Sequence, residues 1–435
     1  MFESPAEPGD FITVASADAV KARVLQEIDR RADEYVDLCC RLVRFNTENP
    51  PGNNTTEIAD FAADLLHRRG IAVHRVEPQP GVVSVAATIE GRRRNPHFVL
   101  NGHFDVFPAD DPSLWEFPPF AGEVRNGRIL GRGVADMKAG TAASLCAFLT
   151  VRDLGLDLPG RLTLTLVSDE ETGGRLGTDW LLSHNADLAG DGCLIGEPCG
   201  PDAVRVGEKG LCWMRLTAAG ESFHSSFSTG ENVITRLASA LDVIKTVTSE
   251  RGTTPDDMRD VIEAAKRQDL TRHLTGKTHL LEQPSLNVGM IRGGIKVNIV
   301  PRTCEADLDV RLPLGMHPER TCAMLQERLR AAGFGDVTLS LLMSSVPSYT
   351  SPTSPLAQMV LRNATAVRGA APAFTMTTAG TDGRYYRARG TPTVIYGPRP
   401  HNIAALNESV PVDEYLTVLK VHATTAVDFL WQGQA

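Results

Sequence analysis

The chain has 435 residues, enough for two or three domains. With 42% hydrophobic and 22% charged residues, and 38 glycines and 27 prolines dispersed along it, it has the composition of an ordinary globular protein, which excludes fibrous, low-complexity and disordered classes. Its net charge of −9 repels polyanions, so neither nucleic acid nor an anionic membrane is an expected partner.

The first ten residues are acidic and Pro-rich, whereas a secretory signal would be basic and then apolar. No apolar run in the sequence approaches a membrane span, and a cytoplasmic location is the expectation. The eight cysteines form no C-x-x-C pair and sit mostly in apolar segments, as buried free thiols do.

Apolar residues at Val20, Val24, Ile28, Ala32, Tyr35, Cys39 and Leu42 recur at helical spacing and predict one amphipathic helix, ending before Asn-Pro-Pro-Gly at 49–52. A second helix is expected over 56–69. Strands at 82–89, 97–100, 162–167 and 193–195 then alternate with helices at 138–151 and 176–184, the grammar of an α/β domain with a largely parallel sheet and helices on both faces.

Near Gly207 the grammar changes. A strand at 211–218, a helix with Ile234, Leu237, Leu241 and Ile244 on one face, strands at 285–291 and 306–312, a helix opening at Pro318 and a strand at 337–342 spell β-α-β-β-α-β, the ferredoxin-like unit. It reads as a small domain, residues 207–345, inserted into a larger one made of residues 1–206 and 346–435. The polar stretch 249–282 lengthens its first crossover and is expected to hold a short helix at 258–266. Afterwards a helix at 355–367, a strand at 393–396 and a helix from Asp413 return to the first pattern.

Chemistry-bearing side chains gather just past strand ends. Residues 97–103 run into His103-Phe-Asp105, where a period of two puts His103 and Asp105 on one side. Residues 162–167 run into Ser-Asp-Glu170-Glu171, and 193–195 into Gly-Glu197-Pro, while Asp136 precedes the helix at 138–151. Each piece alone is the sort of polar corner that any loop contains. Together they lie where open α/β sheets bind their ligands. Imidazole and carboxylate donors suit zinc, and a carboxylate shared by two cations makes a two-metal hydrolytic site.

These motifs, with Gly131-Arg-Gly-Val-Ala-Asp136-Met-Lys-Ala-Gly and Asp169-Glu170-Glu171-Thr-Gly-Gly, resemble the co-catalytic zinc peptidase family of acetylornithine deacetylase, succinyl-diaminopimelate desuccinylase, aminoacylase-1 and bacterial glutamate carboxypeptidase. The resemblance runs from the first helix to the last. It implies a hydrolase of small N-acylated amino acids with two Zn2+ per subunit, replaceable by Co2+ or Mn2+; a dipeptidase or carboxypeptidase with the same site is the alternative. It implies His103 and Glu197 on one metal, Asp136 as the bridge and Glu171 on the second. Glu170 resembles the general base, and Asp105 the carboxylate that orients the metal-binding imidazole.

The inserted domain is expected to act as lid and homodimer interface. In it, His224 resembles the histidine that reaches the partner's site to steady the oxyanion, and Asn298 with Arg311 the pair that grips the substrate carboxylate. Gly380 and Thr381 match a substrate-binding loop. From their own surroundings alone, Arg311 reads rather as an ordinary exposed strand residue and His224 as a helix-capping side chain. The family pattern His-Ala-x-Asn-Glu meets Ala404-Ala-Leu-Asn407-Glu408 here, so alanine stands where the second metal's histidine belongs. Either His401 substitutes for it, or the chain is an impaired binding protein or an altered variant; the intactness of every other motif favours alteration.

Overall fold

A computed structural model describes residues 16–267 and 276–432; the acidic N-terminal stretch and part of the 249–282 insertion lie outside them. Helix α1 (Ala17–Arg30) opens on Ser16, whose hydroxyl accepts the Ala19 N–H, and α2 (Ala32–Arg44) follows directly. The single expected helix is thus two. It breaks where Arg31 leaves helical backbone angles (φ −107°, ψ 17°) and extends its guanidinium to Glu34 and Asp153.

Next come α3 (Thr56–His67), β1 (Val73–Gln79), β2 (Val82–Ile89), β3 (His97–His103), β4 (Glu123–Arg125), β5 (Arg128–Leu130), α4 (Ala139–Asp153), β6 (Arg161–Val167), α5 (Thr178–His184), β7 (Gly192–Ile195) and β8 (Ala203–Glu208). Strands β3, β6 and β7 are buried along their whole length, as a sheet covered on both faces requires.

The middle of the chain supplies β9 (Gly210–Ala219), α6 (Val233–Lys245), α7 (Arg259–Arg267), β10 (Ser285–Gly293), β11 (Thr303–Leu312), α8 (Pro318–Ala331) and β12 (Thr338–Ser345). The four strands form a separate antiparallel sheet, ordered β10-β11-β9-β12, with the ferredoxin-like arrangement. Along β11, Ala306, Leu308, Val310 and Leu312 are buried with Leu237, Ile244, Leu325 and Leu329 of the covering helices. Ile234, expected on the buried face of α6, is 37% exposed; Val233 and Ala240 are buried in its stead. Helix α7 departs from the rest of this stretch: Met258, Val261, Ile262 and Ala265 enter the core of the large sheet.

The chain closes with β13 (Ser348–Tyr349), α9 (Pro355–Arg368), β14 (Ala373–Thr377), α10 (Gly383–Ala388), β15 (Thr393–Ile395), β16 (Ser409–Pro411) and α11 (Val412–Trp431). Nine strands make the large sheet, ordered β1-β2-β6-β3-β7-β15-β8-β13 with β14 on β8. Its centre, β6-β3-β7-β15, is parallel. Helix α4 packs against this centre and against α11. The segment Val134–Asp153 is long and apolar enough to cross a membrane, contrary to the sequence expectation, but 94% of its most apolar stretch is buried inside the protein, which makes it a core helix. Phe98 of β3 stacks on Phe429 of α11 at 4.6 Å. Because β3, β6 and β7 run in parallel, their carboxyl ends lie side by side, and His103, the 168–171 loop and Glu197 emerge together.

Candidate metal centre

His103 closes β3 and is 1% exposed. Its Nδ1 lies 2.9 Å from the main-chain carbonyl of Asp105. A carbonyl only accepts, so Nδ1 carries a proton and Nε2 is the ring atom that faces Asp136 and Glu197. That buried Nε2 has no hydrogen-bond partner, although it lies 3.3 Å from Glu197 Oε1 and 3.5 Å from Asp136 Oδ1. Burial disfavours charge on the imidazole, yet the Asp136 and Glu197 carboxylates raise its pKa well above the usual value. Asp105 sits 3.6 Å from Nδ1 through its carboxylate, so its backbone, not its side chain, makes the hydrogen bond. The side chain is otherwise engaged: it accepts the N–H of Glu170 at 3.2 Å, that of Glu171 at 3.0 Å and the Asn49 amide at 2.8 Å.

The Glu170–Glu171 loop leaves β6 through Asp169 at φ 75° and is pinned by Asp105 at both glutamate amides. Burial, then the Glu197 carboxylate, raises the Glu170 pKa well above its ordinary value, against the pull of His103 and Arg384; Arg384 Nη1 is 3.5 Å away. Glu171 is raised similarly by burial and Asp136, and its buried Oε1 has no partner.

Asp136 hangs from a turn, Val134–Lys138, entered through Gly133 at φ 76°. Adding a Cβ at Gly133 would meet Val106 at 2.0 Å, so glycine is needed there for space and for backbone angle. Glu408, 272 residues further on, receives the N–H groups of Gly133, Ala135 and Asp136 together with Arg132. Sequence reading noticed Glu408 only as a motif neighbour; its part in carrying Asp136 is a long-range contact.

Donor atoms of His103, Glu170 and Glu197 lie within 4.8 Å of one another, as do those of His103, Asp136 and Glu171. Two buried donor atoms without partners, among carboxylates that repel one another, fit a divalent cation: burying such charges uncompensated is costly. All four ligands expected from the sequence, and the expected base, converge here.

Ala404 lines the same cavity, with φ 56° and an exposed methyl. His401 is exposed and belongs to neither donor group. The cavity has a volume of about 360 Å³ and lies between the two sheets. Gly380 and Thr381 line it, and the Thr381 hydroxyl donates to Glu208 at 2.6 Å. Arg311 faces it from the small sheet with its fork on Asp309, at 2.8 and 3.0 Å. Asn298 and His224 do not join Arg311. They lie beside each other near the far end of the small sheet, where Ile299 bridges His224 and the Ser225 N–H reaches the Asn298 carbonyl at 3.1 Å. Arg384, which ends the loop Gly380-Thr-Asp-Gly-Arg384 matched in the sequence, lines the cavity as well, and so do Arg205 and Trp213, which the sequence reading did not single out.

Residues 99–428 match the profile of Peptidase family M20/M25/M40. Succinyl-diaminopimelate desuccinylase of Rhodospirillum centenum is 28% identical over 376 residues, covering 84% of this chain and 90% of that protein. Among solved structures, an M20 family metallo-carboxypeptidase from Sulfolobus solfataricus superposes with a TM-score of 0.77 at 21% identity, over 91% of this chain and 99% of that one. Human carnosine dipeptidase 1 gives 0.70 at 17% identity, over 94% and 99%.

Proposed function

The chain belongs to peptidase family M20/M25/M40, and on that footing we propose that it hydrolyses the amide bond of small N-acylated amino acids at a two-zinc centre. The observation that carries this reading is the convergence of His103, Asp136, Glu170, Glu171 and Glu197 in one cavity, with His103 Nε2 and Glu171 Oε1 buried and unpartnered. The similarity to desuccinylases over most of the chain supports the substrate class.

His103, Asp136, Glu171 and Glu197 would hold the metals, which when bound acidify a water and polarise the scissile carbonyl. Glu170 takes the proton of the attacking water and returns it to the departing amine. Asp105 keeps Glu170 and Glu171 in place through their amides. Gly380, Thr381 and Arg311, on the walls of the cavity, orient the substrate and its carboxylate.

The small sheet serves as lid and dimer interface in this reading. Its edge strand β10 exposes Met290 (51%) and Ile291 (54%), and beyond it Ile295 and Val297 are almost fully exposed, a patch suited to a second copy. In such a homodimer His224 and Asn298 act in the partner's cavity. All eight cysteines are free, which accords with a reducing cytoplasm.

The test is a panel of N-acetyl, N-succinyl and N-carbamoyl amino acids and dipeptides, run with zinc, cobalt or manganese and after chelation. Metal-dependent cleavage of acyl amino acids is expected. Full activity of verified metal-free protein overturns the mechanism, and cleavage of dipeptides alone overturns the substrate class.

A further inference from the structure

Three guanidinium groups line the cavity, and two are already engaged. Arg311 forks onto Asp309, and Arg384 donates to the carbonyls of Thr381 and Gly173. Arg205, on β8, is different. It is 8% exposed, its buried Nε has no hydrogen-bond partner, and its side chain makes no hydrogen bond or ion pair among the described residues. A buried guanidinium keeps its charge and needs acceptors for its donors. Glu197, which shares the cavity wall with it, feels its charge but makes no ion pair with it, its carboxylate lying 3.3 Å from His103 Nε2. On the opposite wall the Trp213 indole Nε1 is likewise buried and unpartnered.

We infer that Arg205 binds a second carboxylate of the substrate, so that the cavity selects an N-acyl amino acid whose acyl group is itself anionic. This rests on the hydrolase reading above and names its substrate class. Arg205 is proposed as a specificity residue. The guanidinium fork matches a carboxylate bidentately, and divalent cations held at the centre would offset the charge of its acidic side chains, so that an anion could approach Arg205. An acyl chain ending in a methyl would leave the Arg205 donors unsatisfied, which is how polar pockets discriminate.

The experiment compares N-succinyl and N-acetyl forms of one amino acid, which differ by a carboxylate, in the wild type and in Arg205→Met and Arg205→Lys proteins of verified metal content. The wild type should favour the succinyl form, and the succinyl-to-acetyl ratio of kcat/KM should fall about 10–100-fold in Arg205→Met, the scale of lost charge-assisted hydrogen bonds. The lysine variant, which keeps the charge beside Glu197 but not the fork, should fall between and carries the comparison if the methionine variant loses metal or folds poorly. An unchanged ratio in the variants overturns the inference. If neither compound is cleaved by the wild type, the hydrolase reading fails, and calorimetric titration with succinate still reads the site: binding weakened about 10-fold or more in Arg205→Met upholds it, and equal binding sinks it.

Discussion

The carboxylate of Glu408 holds the peptide N–H of Asp136, at 3.2 Å, and with the same oxygen that of Ala135 at 2.8 Å. Its other oxygen takes the Gly133 N–H and the buried Arg132 guanidinium, at 2.9 and 2.8 Å. One acidic side chain therefore sets the path of the turn that presents Asp136, a proposed metal ligand.

Glu408→Gln should disturb that turn, because an amide NH2 must face one set of backbone donors. Metal affinity should drop about 10–100-fold, as for other groups supporting metal ligands. Leaving Arg132 without its counter-ion should cost about 3–5 kcal/mol. Zinc titration and a denaturant melt measure the two effects; unchanged zinc affinity would show that Asp136 stands without Glu408.

Glu170→Gln keeps the shape of the side chain and removes the proton acceptor. We expect kcat to fall about 10²–10⁴-fold with metal content retained, since Glu171 provides the ligand. Loss of metal together with activity would mean that the two glutamates exchange roles.

At Ala404, the cavity holds a methyl where the family pattern has an imidazole. The second metal, left with Glu171 and Asp136, should bind weakly, because tetrahedral zinc wants four ligands. Ala404→His should raise zinc stoichiometry toward two per chain and increase kcat. If His401 is the working ligand, His401→Ala lowers the stoichiometry and Ala404→His does not raise it.

His224 and Asn298 lie together and away from Arg311, and in the proposed homodimer they would complete the site of the partner. Mixing inactive His224→Ala and Glu170→Gln proteins should restore part of the activity, because half of the sites in a mixed dimer are intact. No recovery after demonstrated subunit exchange would confine His224 to its own chain.

Stability should fall in mild acid. Burial lowers His422 to about 4, and its neutral ring donates from Nε2 to the Tyr396 carbonyl at 2.7 Å and accepts the Ser144 hydroxyl at 3.1 Å. His97 is lowered to about 4 as well. The unfolded chain takes these protons near the ordinary value of 6.5, so it binds more protons than the fold between about 6.5 and 4. The contribution is whole above that window and is lost as pH falls through it. Denaturant midpoints measured across this range should slope less in His422→Gln than in the wild type; equal slopes would exclude His422 as a cause.

Local patterns in the sequence were enough to find the alternating α/β grammar, the ferredoxin-like insertion and the candidate ligands at strand ends, because each depends on the period of a single element or on residues a few positions apart. They also exposed the alanine at 404. The break at Arg31 and the burial of α7 against the large sheet needed tertiary structure. An amphipathic helix shows that it has an apolar face, and Met258, Val261 and Ile262 do not say which of two cores that face will cover. The site divides the same way. His103, Asp136, Glu171 and Glu197 were legible as donors, but the backbone role of Asp105, the grip of Glu408 on the Asp136 turn and the unpartnered guanidinium of Arg205 were not. Those follow from which distant segments the parallel strands bring side by side, and from which donors are left without acceptors once burial has removed water.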